Sequence, residues 1–177
     1  MKTDNKTNTT IDLPQFITKV KRQDKIFKVV YLAIIVLYII IIVTHLAIIF
    51  ISIYNNVPFR EWIGDLGTLL PFLIIYIYLR KRYKEYKRAD YSQNTYLVLK
   101  SMKRRYSSLR LEDLWVFAAL LFLGISMGIN SPMGFVSFQL YYWAMMLVAM
   151  LGGYIYWYIR IKPLRDKASQ LIKELEE

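Results

Sequence analysis

Tyrosines aside, His45 and Asp65 are the ionisable side chains that fall well inside apolar runs of this sequence. A group of that kind within a membrane span is costly to bury and is by default a candidate for function. His45 lies 17 residues beyond Lys28, about 26 Å along a helix axis, and Asp65 lies 15 residues before Arg80, about 22 Å by the same rise. On adjacent antiparallel helices the two would reach comparable depth in the outer third of a bilayer. The expectation is a His45–Asp65 pair, with Thr44 or Glu61 nearby, able to relay protons or hold a cation. Against it stands a plainer reading, in which Asp65, one turn after Glu61, simply begins a helix where its dipole favours a carboxylate.

Other chemistries lack their parts. The chain has no cysteine and a single histidine, which excludes disulfides, thiolate sites and multi-histidine metal centres. It contains no Gly-rich phosphate loop, no nucleophile elbow and no H-E-x-x-H helix. The expectation is a protein that is not an enzyme, with no cofactor and no metal.

A second constellation is basic. After a turn at Asp90, with Gln93 in the reciprocal capping place, Leu99, Met102, Tyr106 and Leu109 recur at helical spacing, while Lys100, Lys103, Arg104, Arg105 and Arg110 take other faces. This pattern predicts a helix lying on the inner leaflet, apolar stripe down and cations near anionic lipid. The same residues, Leu99, Lys100, Met102, Lys103, Arg104, Arg105, Tyr106 and Arg110, would alternatively make a docking surface for a protein partner. Basic residues with interleaved aromatics also suit nucleic acid. Inner loops of multispanning proteins are basic regardless, and no nucleic acid is expected.

The elements that position these residues follow from hydropathy. The chain has 177 residues, 56% of them hydrophobic, yet a net charge of +11, and the two properties are segregated into alternating blocks. Apolar runs at 26–54, 62–79, 114–129 and 135–159 predict four spans, each near the 20 or so residues that cross a bilayer. The first is too long for the apolar part of a signal peptide and no small-x-small site follows it. Of the 24 Lys and Arg residues, all but Arg60 fall in the N-terminal segment, the 80–113 connection or the tail. That asymmetry places both termini and the middle connection in the cytoplasm. Trp62, Tyr141, Tyr142 and Trp143 then mark the outer interface, and Tyr76, Tyr78, Trp115, Tyr154 and Trp157 the inner one.

Smaller signals complete the picture. Residues 1–10 have almost nothing to bury and are expected to be disordered. A helix is expected to start near Asp12, with Pro14 in its first turn and Phe16, Ile17 and Val20 on one side. Pro71 should kink the second span. Gly124 with Gly128, and Ala149 with Gly153, are spaced for close helix approach, within the chain or in a homo-oligomer. The 161–177 tail has an amphipathic pattern with Leu164, Leu171, Ile172 and Leu175 on its apolar side.

The segment DYSQNTYLVLKSMKRRYSSLRLEDLW, Asp90 to Trp115, resembles a recurrent piece of small uncharacterised membrane proteins from Bacteroidetes-type bacteria. Some of those are encoded beside extracytoplasmic-function sigma factors, so the resemblance implies a membrane-bound regulator. It covers about 26 residues and brings no functional residue with it, and this chain lacks any cysteine-containing zinc-binding anti-sigma motif.

Together these readings predict an all-α, up-down-up-down bundle of four transmembrane helices in the inner membrane over residues 11–160, with amphipathic cytoplasmic helices. The expected function is non-enzymatic: binding or regulating a partner through the basic cytoplasmic face. The alternative is a small transporter or channel component using His45 and Asp65.

Overall fold

The computed structural model describes residues 13–107, 110–129 and 131–176, apart from the side chains of Arg60 and Glu61. The expectations for residues 1–10, Asp12, Leu109 and the Glu61 side chain therefore lie outside the described residues. Everything described is helix or short connection, with no strand among the described residues.

The first helix, α1, runs without a break from Leu13 to Tyr54, 42 residues. The amphipathic stretch around Phe16 is thus part of the same helix as the first apolar run. At 1.5 Å per residue α1 is about 63 Å long, roughly twice the hydrocarbon thickness of a bilayer. It ends at Asn56, whose φ of 52° is a left-handed conformation that asparagine tolerates. Pro58 follows, and α2 begins at once, spanning Phe59–Lys87. Pro71 lies inside α2 and is fully buried.

The third helix, α3 (Thr95–Arg105), corrects the capping expectation. Asn94 caps it, accepting from the Tyr96 amide at 3.1 Å. Asp90 instead accepts from both the amide and the hydroxyl of Ser92, closing a local turn ahead of the helix. α4 (Asp113–Ile129) carries an acid in its first turn. Gly134, at φ 79°, supplies the backbone bend from which α5 (Phe135–Tyr156) starts. α5 passes through one π turn, Trp157–Ile161, straight into α6 (Lys162–Glu176).

In space α1 packs on α2, α2 on α4, α4 on α5, and α3 on α6. Three helical stretches are long and apolar enough to cross a membrane: α1, α2, and the continuous rod that begins with α5. α4 is apolar but shorter, at 17 residues.

Two regions of packing result. Beyond the apolar runs, the first turns of α1, all of α3 and all of α6 enclose a core of Phe16, Val20, Val98, Leu99, Met102, Tyr106, Ala168, Leu171 and Ile172. The stripe of α3 is therefore not turned to lipid. Leu99 and Met102 are completely buried and Tyr106 nearly so, because α1 and α6 reach far enough past the bilayer-length segments to cover them. Burying an apolar side chain of this size contributes about 1.5–3 kcal/mol, which a half-immersed interfacial helix would not gain in full. Of the residues expected on a lipid or partner surface, Leu99, Met102, Arg105 and Tyr106 are thus interior. Lys100, Lys103 and Arg104 are exposed, and Arg110 is half-buried.

Between the apolar helices the packing is thinner. Ile35, Ile75, Leu79 and Ala119 form a small cluster, and α5 buries no residue at all. Close approach is through small residues. A Cβ on Gly67 would stand 2.9 Å from Ser126 Oγ, one on Gly124 2.6 Å from the Tyr142 ring, and one on Gly128 2.6 Å from Gln139 Nε2. The Ala149–Gly153 pair meets no helix, and Gly153 has nothing within 4 Å of where its Cβ would be.

Candidate functional site

The helical phase of α1 brings Phe16, Val20, Asp24, Phe27 and Tyr31 onto one side, and the exception in that apolar series is Asp24. It is only 4% exposed. Its Oδ1 accepts from the Tyr106 hydroxyl at 2.5 Å, and its Oδ2 accepts from Arg105 Nη2 at 3.0 Å and from the Tyr91 hydroxyl. Arg105 Nη1 donates to Ser101 Oγ at 3.2 Å, which leaves Nε buried without a partner. Burial, reinforced by the Asp24 charge and hydrogen bond, holds the Tyr106 hydroxyl well above its ordinary pKa; burial and the Asp24 hydrogen bond do the same to Tyr91. Both stay protonated donors at any physiological pH.

A second node joins α2 to the start of α4. Asp113 Oδ1 accepts from the Tyr78 hydroxyl at 2.6 Å and from Arg82 Nη2 at 2.9 Å, and Oδ2 from the Arg110 amide at 2.8 Å. Arg82 Nε donates to Tyr78 at 2.9 Å, and Glu85 takes both a 2.9 Å ion pair from Arg110 and a looser 3.8 Å one from Arg82. Removing one partner from a buried pair of this kind costs far more than the pair itself contributes, so the two nodes fix how α1, α2, α3 and α4 meet.

Between the nodes lies a cavity of about 260 Å³. Tyr31 and Tyr86 are stacked along it, 5.4 Å apart at 21°. Trp157 closes another side, its Nε1 donating to the Tyr106 carbonyl at 3.1 Å. The π turn lies at this point, and the residues at its two ends, Trp157 and Ile161, both line the cavity.

The exposed cations of α3 form a different feature. Lys100, Lys103, Arg104 and Arg110 border an open depression of about 460 Å³, in which Glu112 is the acidic member. Glu112 is itself paired with Lys81 at 2.8 Å. No ion pair engages Lys100, Lys103 or Arg104 among the described residues.

His45 and Asp65 are not brought together. His45 Nδ1 lies 2.9 Å from the Ile41 carbonyl of its own helix, and its ring meets Phe72 edge-on at 5.2 Å. Phe72 is two turns further along α2 than Asp65, about 10 Å by helical rise. Equal depth follows from the ends of the apolar runs, but α2 meets α1 in a different register, with Phe72 against His45. The buried nodes were missed because Asp24 and Asp113 read as single acids among many basic residues. The signal for Asp24 was its spacing, one and two turns from Val20 and Phe16.

No group of three or more metal-ligating side chains comes together among the described residues. Comparison with known proteins finds no matching family, no matching curated protein and no matching solved structure.

Proposed function

We propose that this chain is a four-span inner-membrane protein, termini cytoplasmic, that holds a compact helical head against the membrane and docks an acidic cytoplasmic partner on it. Three apolar helices of spanning length support the membrane assignment, and α4, wedged between α2 and α5, is the fourth span of the reading. The confinement of all but one Lys and Arg to one end of the spans supports the orientation. The function is non-enzymatic binding or regulation.

One observation carries the docking reading: Lys100, Lys103 and Arg104 stand exposed, with no ion pair among the described residues, on a helix whose other face is fixed in a core. A rigid row of unmatched cations steers and orients an acidic partner. No observation favours transport through His45 and Asp65.

The test is co-purification of tagged protein from native membranes in mild detergent at low and high salt. A stoichiometric acidic partner, released by salt and lost on Lys103→Glu/Arg104→Glu while the protein still inserts, supports the reading. Recovery of the chain alone at low salt, or a partner indifferent to the charge reversal, would sink it.

A further inference from the structure

The cavity between the two nodes plays no part in the basic docking face and has the makings of a ligand site of its own. Its most telling group is Arg105. The side chain is 8% exposed, lines the cavity, and keeps its Nε–H without a hydrogen-bond partner among the described residues. That nitrogen is closed off from solvent and cavity alike, so what Arg105 brings to the cavity is its charge. Tyr31 and Tyr86 line the same space, and no hydrogen bond among the described residues takes up either hydroxyl. The acids nearby cannot serve. Both oxygens of Asp24 and both of Asp113 already accept from Tyr, Arg or backbone donors. What the cavity offers is therefore donors, and the missing group is an oxygen acceptor, best an oxyanion.

Position narrows the choice. At the cavity's level α1, α2 and the α5–α6 rod all change from basic to apolar: Lys28 lies just before Tyr31, Arg80 just after Leu79, and Arg160 just after Trp157. That boundary is where the phosphates of a bilayer lie. The cover that α5 gives the cavity is thin. α5 buries nothing, reaches α1 through Tyr156, which meets Gln23 at 3.0 Å and Phe27 at 6.4 Å, and lines the cavity with Gly153, where a Cβ would meet nothing. A volume of about 260 Å³ is less than pockets that enclose whole ligands, commonly about 300–1,000 Å³, so it suits a head whose tail stays outside.

We propose that this cavity binds the phosphate head of an inner-leaflet phospholipid. The Tyr31 and Tyr86 hydroxyls donate to the phosphate oxygens beside the Arg105 guanidinium, and the acyl chains leave past Gly153 along α5. The proposal rests on the membrane-spanning reading but not on the docking one.

The experiment uses the full chain purified in detergent and analysed by native mass spectrometry after addition of dihexanoyl phosphatidylglycerol, dihexanoylglycerol lacking phosphate, or inorganic phosphate. The expected result is a single retained phosphatidylglycerol per chain, with little retention of the phosphate-free lipid. Gly153→Leu, which puts a side chain into the open space on the acyl-chain path, should lower retention about tenfold while thermal melting stays unchanged. Asp24→Asn/Arg105→Gln, which removes the buried pair together, should do the same. Lys103→Glu/Arg104→Glu should retain lipid fully, which separates this site from the docking face. Equal retention in wild type and Gly153→Leu, or of the two lipids, overturns the site. Retention of inorganic phosphate in preference to the lipid overturns the lipid assignment. Recovery of the wild-type chain outside the membrane fraction would instead overturn the spanning reading.

Discussion

The head and the far half of the helix bundle are built from the same chain by opposite means. In the head, large side chains such as Leu99, Met102 and Tyr106 are fully enclosed and a charged pair is buried among them. In the far half, α5 buries nothing, and helices meet where glycine removes a side chain or where a polar group reaches a backbone carbonyl. Gln139 donates to Gly124 at 2.7 Å and Tyr142 to Leu120 at 2.7 Å. On the membrane-spanning reading proposed above, solvent explains the difference. Apolar burial drives the head together because its alternative is hydration, whereas helices surrounded by lipid gain little from burying leucine and associate through close fit and interhelical hydrogen bonds.

The sharpest way to break this contrast is Asp24→Ala. It strands Arg105 as an unpaired buried charge and should cost about 3–5 kcal/mol, confined to the head. Limited proteolysis should then cut α3 and α6 while leaving the apolar helices protected; protection of the head would mean the pair is not structural. Leu99→Ala should follow at about 2–5 kcal/mol, read as a lower melting temperature of the head. Tyr106→Phe removes a hydrogen bond to a carboxylate and should cost about 1.5–3 kcal/mol.

The tyrosines also give the head an alkaline limit. Their hydroxyls are held above the ordinary value of 10.0 in the folded protein. Below that pH folded and unfolded chains are equally protonated and the stabilisation is whole. Above it the unfolded chain ionises first, so stability falls as pH rises. Melting followed from about pH 8 to about pH 11 should show this decline, and Tyr106→Phe should flatten it. A head whose stability is unchanged across that range would contradict the buried geometry.

In the far half the sensitive positions are the glycines. Gly124→Ala forces a methyl against the Tyr142 ring and should cost about 1–3 kcal/mol by overpacking, loosening α5 from α4 while the head still melts normally. Gly152→Ala, in open space, should change almost nothing, and crosslinking between α4 and α5 would tell the two apart. The smallest effect should come from Lys81→Ala. Its pair with Glu112 is largely solvent-exposed, and such pairs contribute less than about 1 kcal/mol.

Much of the architecture was legible in the sequence because hydropathy and charge act one segment at a time. The apolar runs, their basic flanks and the amphipathic character of α3 and α6 are all local signals. What the sequence does not carry is which stripes meet. Leu99 and Met102 read as a stripe turned toward lipid, Phe16 and Val20 as a side leading to the first span, and Leu171 and Ile172 only as amphipathic; the lengths of α1 and the α5–α6 rod make them a common core. The candidate site suffered more. Asp24 and Asp113 matter through partners 81 and 31 residues away, Arg105 and Arg82. Nothing in the local sequence announces those pairings.

The π turn at Trp157–Ile161 has a consequence for timing along the rod. A π turn holds one residue more than the α-helix around it, so it works like a single tooth of slip in a gear train. Taking up that residue would rotate everything beyond it by about 100°, the angle of one helical step. Ala168, Leu171 and Ile172 would then turn out of the head. The phase that seats α6 against α3 is set by one residue, where the rod changes from apolar to basic.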